Sequence, residues 1–308
     1  MTERPSSRPA RIGLVQARVR PSYDETIENT REKVREASAR GAELVVLGEL
    51  FASYYFCQTE DPAVFETAES LDGPTVTSMS ALARELGISL VIPFFERRAP
   101  GLFHNTLVIA GPDGRPLGVY RKMHIPDDPQ FMEKYYFTPG DSAGPGDAPG
   151  VAGFAAFQTP RLKVGPLICW DQWYPEAARL TAMKGSDILI YPTAIGWLPS
   201  EKPTEGAAQL SAWQTMQRSH AIANGTFVAA VNRVGQEGSK ETGIEFWGHS
   251  FICDPMGRVL AEAGEDEEVL IADLDLREIE NTRKWWPFFR DRRVDAYGAI
   301  TKRWDEDR

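Results

Sequence analysis

The chain has 308 residues, room for one large or two ordinary domains and for a sizeable core. Hydrophobic residues make up 42% and charged residues 25%, the balance of a soluble globular protein, and no apolar run is long enough to span a membrane. The net charge of −10 argues against a broad nucleic-acid surface, which needs a basic stripe. Met1 to Pro9 is polar and lacks the apolar stretch of a signal peptide, so the expected compartment is the cytoplasm.

In chain order, Arg11 to Val19 reads as a strand and Asp24 to Arg40 as a helix with Ile27, Val34 and Ala37 at helical spacing, closed by Gly41. Leu44 to Leu47 is a short apolar strand that runs into Gly48-Glu49. Gly73-Pro74 opens a helix to Leu86 that Gly87 ends, and Ser89 to Pro93 is the next strand. Thr106 to Ala110 and Leu117 to Arg121 flank Pro112-Asp113-Gly114, a hairpin signal. Thr138 to Gly153 reads as a long surface excursion. Leu162 to Ile168 is apolar and enters Cys169, and Pro175 opens a helix through Lys184. Ile188 to Tyr191, Thr226 to Val231 and Val269 to Leu274 read as strands, Gly206 to Ala223 as a helix, and Ser250 to Ala261 as a second hairpin. Strands alternating with helices, with hairpins between, predict an α/β chain with mixed sheets. The expected organisation is a single domain over residues 1–308, with a charged, aromatic C-terminal arm from about residue 277.

The three cysteines, Cys57, Cys169 and Cys253, are far apart and form no C-x-x-C, so neither a disulfide framework nor a zinc knuckle is expected. His104, His124, His220 and His249 show no metal-ligand spacing, and no metal or cofactor is expected. His220 and His249 read as structural, and Cys57 as a packed thiol.

Glu49 and Cys169 each follow a buried strand, at the carboxyl end where open α/β sheets place ligand sites. Cys169 also precedes a polar turn and a proline-initiated helix, whose backbone N–H groups can stabilise a thiolate or a developing oxyanion. Lys122 ends a strand, and Glu133 lies in Phe131-Met132-Glu133-Lys134; either alone is ordinarily a solvated charge. Together they make a coherent set. A thiol needs a base, a glutamate in a dry pocket can act as one, and a lysine beside it can hold the charge that develops on a carbonyl oxygen.

The segments Gly48-Glu49-Leu50-Phe51, Tyr120-Arg121-Lys122-Met123-His124-Ile125-Pro126 and Ile168-Cys169-Trp170-Asp171 resemble the three signature blocks of the nitrilase superfamily, in order and at the usual separations. The resemblance runs from Arg11 to about Leu274. It implies a four-layer α-β-β-α sandwich, with Glu49 as base, Lys122 as oxyanion stabiliser and proton donor, Cys169 as nucleophile and Glu133 as the glutamate that positions substrate and supports the lysine. It also implies a second oxyanion donor at the backbone N–H of Trp170 and a homo-oligomer, a dimer or larger. Asn105 and His124 are candidates for supporting groups.

Several stretches, including Tyr54 to Gln58, His124 to Asp128, Cys169 to Glu176, Tyr191 to Gly196 and Arg290 to Arg293, look like the members of the superfamily that release putrescine, ammonia and carbon dioxide from N-carbamoylputrescine. That likeness implies Tyr54, His124, Trp170, Gln172, Trp173 and Ala194 around a small-molecule substrate. Members that act on N-carbamoyl-D-amino acids carry two arginines at the third and fourth positions after the nucleophile, a fork suited to a carboxylate. Here Gln172 and Trp173 stand there, so an amine-bearing or neutral substrate is expected. Departures are Pro166 inside the strand before the nucleophile, which predicts a bulge or an unpaired position, Val294 in place of a usual proline, and a larger wall at Gly196-Trp197-Leu198. The alternatives are another amidase of the superfamily, acting on a ureido acid or a small aliphatic amide, and a non-catalytic binding protein on the same fold. Nitrile-cleaving members usually carry Trp-Glu after the cysteine, where this chain has Trp170-Asp171.

Overall fold

The computed structural model describes residues 8–141 and 153–306. The predicted excursion at Thr138 to Gly153 and the polar start at Met1 to Pro9 lie largely outside them. The first half of the chain forms β1 (Ala10–Gln16), α1 (Tyr23–Ala39), β2 (Leu44–Leu47), α2 (Pro74–Leu86), β3 (Ser89–Ala99), β4 (Leu102–Ala110), β5 (Pro116–Arg121) and the one-turn α3 (Glu133–Tyr136). The second half forms β6 (Phe157–Gln158), β7 (Lys163–Pro166), α4 (Pro175–Met183), β8 (Ile188–Pro192), β9 (Gly196–Trp197), α5 (Lys202–Asn224), β10 (Phe227–Val231), β11 (Val234–Glu237), β12 (Ile244–Trp247), β13 (Phe251–Cys253) and β14 (Val259–Glu262). The chain then adds β15 (Glu268–Leu274) and α6 (Arg277–Trp285).

Two six-stranded mixed sheets result, ordered β15-β1-β2-β3-β4-β5 and β14-β13-β10-β8-β7-β6. Each has three neighbouring strands in parallel, β1-β2-β3 in one and β10-β8-β7 in the other, with antiparallel strands outside them. A small third sheet, β11-β12-β9, was not foreseen from the sequence.

The layering follows from strand alternation. In β2, Leu44 and Val46 join the core that also holds Ile12 and Leu14 of β1 and Val164, Ile188 and Val228 of the second sheet. Val45 and Leu47 face the other way, into a core with Val34 of α1 and Met79 and Leu82 of α2. Helices α4 and α5 cover the second sheet through Ala177, Ala178, Trp213 and Ala221. This is the expected α-β-β-α sandwich. Burial of each large aliphatic side chain contributes about 1.5–3 kcal/mol.

Helix ends follow local chemistry. Ser22 and Glu25 form a capping box ahead of α1, and Gly87 and Gly225 close α2 and α5 in the left-handed region. Helix α5 starts a turn before the predicted Gly206, because Pro203 sits in its first turn, where no N–H is needed. Both strand prolines obey the same logic. Strand β3 continues to Ala99 rather than stopping at Pro93, since β2 pairs with it only as far as Val91. The edge of β3 that Pro93 faces is taken up further along by Glu69, which bonds Phe95 and Arg97. Pro166 ends β7 beyond the two residues that pair with β6; Leu167 N–H bonds Ile190 on the opposite side. Pro166 is thus unpaired on the β6 side alone, while on the other side it pairs with Ile190 of β8, and no bulge interrupts that register.

Candidate active site

The site is assembled from strand ends of both sheets. Glu49 follows β2, Lys122 follows β5, Cys169 follows β7 and Ala194 follows β8, while Glu133 is the first residue of α3. Glu49, Lys122 and Glu133 are fully buried. Lys122 Nζ donates to Glu49 Oε1 at 2.8 Å and to Glu133 Oε2 at 2.7 Å. Asn105 Nδ2 donates to the same Glu49 oxygen at 2.7 Å, and the Lys122 backbone N–H bonds Asn105 O, so β4 aligns the Glu49 carboxylate and the lysine together. The other Glu49 oxygen is buried without a hydrogen-bond partner among the described residues.

Electrostatics follow from this dry cluster. Burial opposes the Lys122 charge, but Glu133 and Glu49 outweigh it and hold the ammonium well above its ordinary pKa. Burial raises Glu133 to about 7 against the pull of Lys122. Burial, then the Glu49 carboxylate, push the Cys169 thiol well above its usual value, with Lys122 opposing. Cys169 therefore rests as a thiol and depends on a base to become a nucleophile.

Cys169 itself has φ +39°, and Leu50, next to Glu49, has φ +47°. Residues with a Cβ rarely occupy this region, at a cost of about 1–3 kcal/mol each, and persist there only when their surroundings enforce it. Around Cys169 the enforcing group is Asp171. Its Oδ2 accepts from Ile168 N–H at 2.9 Å and from Tyr120 OH at 2.6 Å, and its Oδ1 accepts from His124 N–H at 3.0 Å. The turn that carries Cys169 is thereby tied to β5, the strand that leads into Lys122.

A cavity of about 440 Å³ opens on this cluster, with Cys169, Glu133, Trp170, Trp173, Ala194 and Phe131 in its wall. A wider groove of about 850 Å³, between α2 and the β4–β5 hairpin, contains none of these groups, so chemistry rather than size marks the site. The Ala194 carbonyl lies 4.0 Å from Cys169 Sγ. No group of three His, Cys, Asp or Glu among the described residues is arranged to hold a metal ion.

Three of the sequence-predicted contacts fall elsewhere. Tyr54 is 46% exposed and off the cavity wall; its neighbour Tyr55 is buried and donates to Glu133 Oε1 at 2.7 Å. Gln172 is fully buried and turned toward α5, where its Oε1 accepts from Trp213 Nε1 at 2.8 Å and Gln217 Nε2 at 2.9 Å. His124 stacks on Tyr174 at 3.8 Å and hydrogen-bonds Asp171, a supporting place rather than a wall of the cavity. The sequence reading also passed over Tyr55, Asp171, Arg233 and Glu237. Arg233 had a usable signal, since it lies just past the apolar strand β10, as Glu49 lies past β2.

The chain belongs to the carbon–nitrogen hydrolase family, within the nitrilase superfamily; the family profile matches residues 11–284. It is accordingly a hydrolytic enzyme acting on amides, an amidohydrolase. Among its relatives, the N-carbamoylputrescine amidase of Solanum lycopersicum is 43% identical over 275 residues, 87% of this chain and 86% of that one. The citrullinase of Francisella tularensis is 36% identical over 296 residues, 96% of this chain and 99% of the relative. The crystal structure of a carbon–nitrogen hydrolase from Helicobacter pylori G27 matches with a TM-score of 0.90 at 45% identity, over 96% of this chain and 99% of that one.

Proposed function

We propose that this amidohydrolase cleaves the carbamoyl group of a carbamoylated amine, with N-carbamoylputrescine as the preferred substrate. The observation that carries the substrate class is the charge of the cavity. Its charged wall residues are Glu133, Asp128 and Glu201; the nearby Lys122 is fully buried and already paired with two carboxylates, and no arginine is among the described residues lining the cavity. A substrate tail that ends in an ammonium suits this wall, and one that ends in a carboxylate meets like charge with no arginine to hold it. Trp173 offers a flat face for the methylene chain between.

In the proposed reaction Glu49 takes the Cys169 proton as the sulfur attacks the carbamoyl carbon. Lys122 and the Trp170 N–H hold the oxyanion. Collapse breaks the C–N bond to the amine, which leaves with the proton Glu49 had taken, and Cys169 carries an S-carbamoyl group. Water, deprotonated by Glu49, then releases carbamic acid and the thiol, and the acid falls apart to ammonia and carbon dioxide. The similarity to the N-carbamoylputrescine amidase of Solanum lycopersicum supports this reading.

The proposal extends to the chain's organisation: one domain with an arm from about residue 277, part of whose apolar surface is covered by a second copy. Trp285 at 85% exposure and Trp304 at 75% are the large apolar side chains that support it.

The deciding assay is ammonia release from N-carbamoylputrescine, N-carbamoyl-β-alanine and a simple aliphatic amide, in wild type and Cys169→Ala. Preference for N-carbamoylputrescine that vanishes with the thiol supports the reading. Preference for the ureido acid or the amide, still lost with Cys169, keeps the chemistry and discards the substrate.

A further inference from the structure

Resting on Glu49 as the base, we infer that Arg233, paired with Glu237, is the positioning residue that sets the place of that base. Arg233 lies just past β10 and is almost fully buried. Its Nη2 donates to Glu49 O at 2.6 Å and Leu50 O at 3.0 Å. Its Nη1 donates to Ser53 O at 3.1 Å and Glu237 Oε1 at 2.9 Å. The other oxygen of Glu237 accepts from Tyr55 N–H at 2.6 Å. One ion pair thus grips both ends of the loop from Glu49 to Tyr55. At one end is the base; at the other is the tyrosine whose hydroxyl holds Glu133.

The loop has reason to need this grip. Leu50 sits at φ +47°, a conformation its own sequence does not favour, and its carbonyl and that of Glu49 are taken up by the guanidinium. Four bonds from one guanidinium suit arginine, and a lysine ammonium cannot reproduce them. The preceding residue, Asn232, does the matching task for a second loop. Its Oδ1 accepts from Ile195 N–H at 3.1 Å and its Nδ2 donates to Ile195 O at 2.9 Å, fixing the segment whose Ala194 carbonyl faces Cys169 Sγ. Two adjacent residues at one strand end therefore tie together the loop of the base and the loop opposite the nucleophile. Removal of Arg233 leaves the Glu49 carboxylate with its own partners, Lys122 and Asn105, so the loss is one of placement.

The test is Arg233→Ala, with circular dichroism to establish folding. We expect kcat for the preferred substrate to fall roughly 100-fold, the scale of an ångström-level misplacement, with KM little changed and part of the loss restored by added guanidinium. The second readout is the rate at which chloroacetamide alkylates Cys169, followed by mass spectrometry. Arg233→Ala slows it in wild type and adds nothing in a Glu49→Gln background. An equal slowing in both backgrounds, or a change in KM alone, overturns the inference. Should Arg233→Ala fail to fold, Glu237→Gln, which keeps shape and loses charge, enters the same cycle. Alkylation of Glu49→Gln at the wild-type rate has a different meaning: it overturns the reading of Glu49 as base, and this inference with it.

Discussion

Lys122 Nζ lies 2.7 Å from Glu133 Oε2, and both side chains are buried. A second carboxylate, Glu49, shares the same ammonium, so the one cation answers two anions in a dry site. Two predictions follow from this imbalance.

The first concerns pH. Glu133 rises from 4.5 to about 7, mainly through burial. Between these values the folded chain holds a proton there that the unfolded chain has lost, so this group's contribution to stability is full below about 4.5 and is lost as pH rises toward 7. The span amounts to about 3 kcal/mol. Urea titrations of wild type and Glu133→Gln between pH 4 and 8 isolate it as a difference. Parallel curves would contradict the assignment.

The second concerns the lysine. Lys122→Met leaves Glu49 and Glu133 buried without their cation, and loss of one partner from a buried pair costs about 3–5 kcal/mol. Denaturant midpoints at neutral pH should fall accordingly, and hydrolysis should be lost. A variant as stable as wild type would mean that the carboxylates are held neutral.

Tyr55 and Tyr54 separate cleanly. Tyr55 donates to Glu133, whereas Tyr54 is exposed. Deleting a hydrogen bond to a charged acceptor is worth about 1.5–3 kcal/mol, so Tyr55→Phe should lower kcat roughly ten- to hundredfold while Tyr54→Phe leaves it in place. Steady-state kinetics on both variants decide it, and equal losses would argue that neither hydroxyl acts through Glu133.

The acidic wall residues make a prediction about KM. Asp128 and Glu201 line the cavity and are exposed to water, so each is expected to contribute on the scale of a surface ion pair. Asp128→Asn and Glu201→Gln should raise KM for N-carbamoylputrescine roughly two- to fivefold each, without change for uncharged N-butylurea. A matching rise with the neutral compound would show that these residues shape the wall and do not read charge.

Much of the architecture was legible in the chain. Runs such as Leu44 to Leu47 and Ile188 to Tyr191 declare buried strands, and Gly87 and Pro74 mark helix ends, because these signals depend on a few neighbouring residues. The same holds for Glu49, Lys122 and Cys169, each at the end of a strand where the backbone itself defines a ligand face. Missed elements were those whose local signal is weak or contradicted. Strands β9, β11 and β12 are short, and β3 passes through Pro93 because its unpaired edge lies beyond β2.

By itself, then, the sequence determined the fold class, the strand-end positions of Glu49, Lys122 and Cys169, and a resemblance to a family of hydrolases. Only the tertiary structure decided which neighbours those side chains meet. Tyr55 rather than Tyr54 reaches Glu133, Gln172 turns to Trp213 and Gln217 instead of the cavity, and Arg233 grips a loop 184 positions away. The reason is physical: strand and turn preferences act over a few residues, whereas the direction of a polar side chain is set by whichever buried donor or acceptor must be satisfied, and those partners come from the opposite sheet or from a helix distant in the chain.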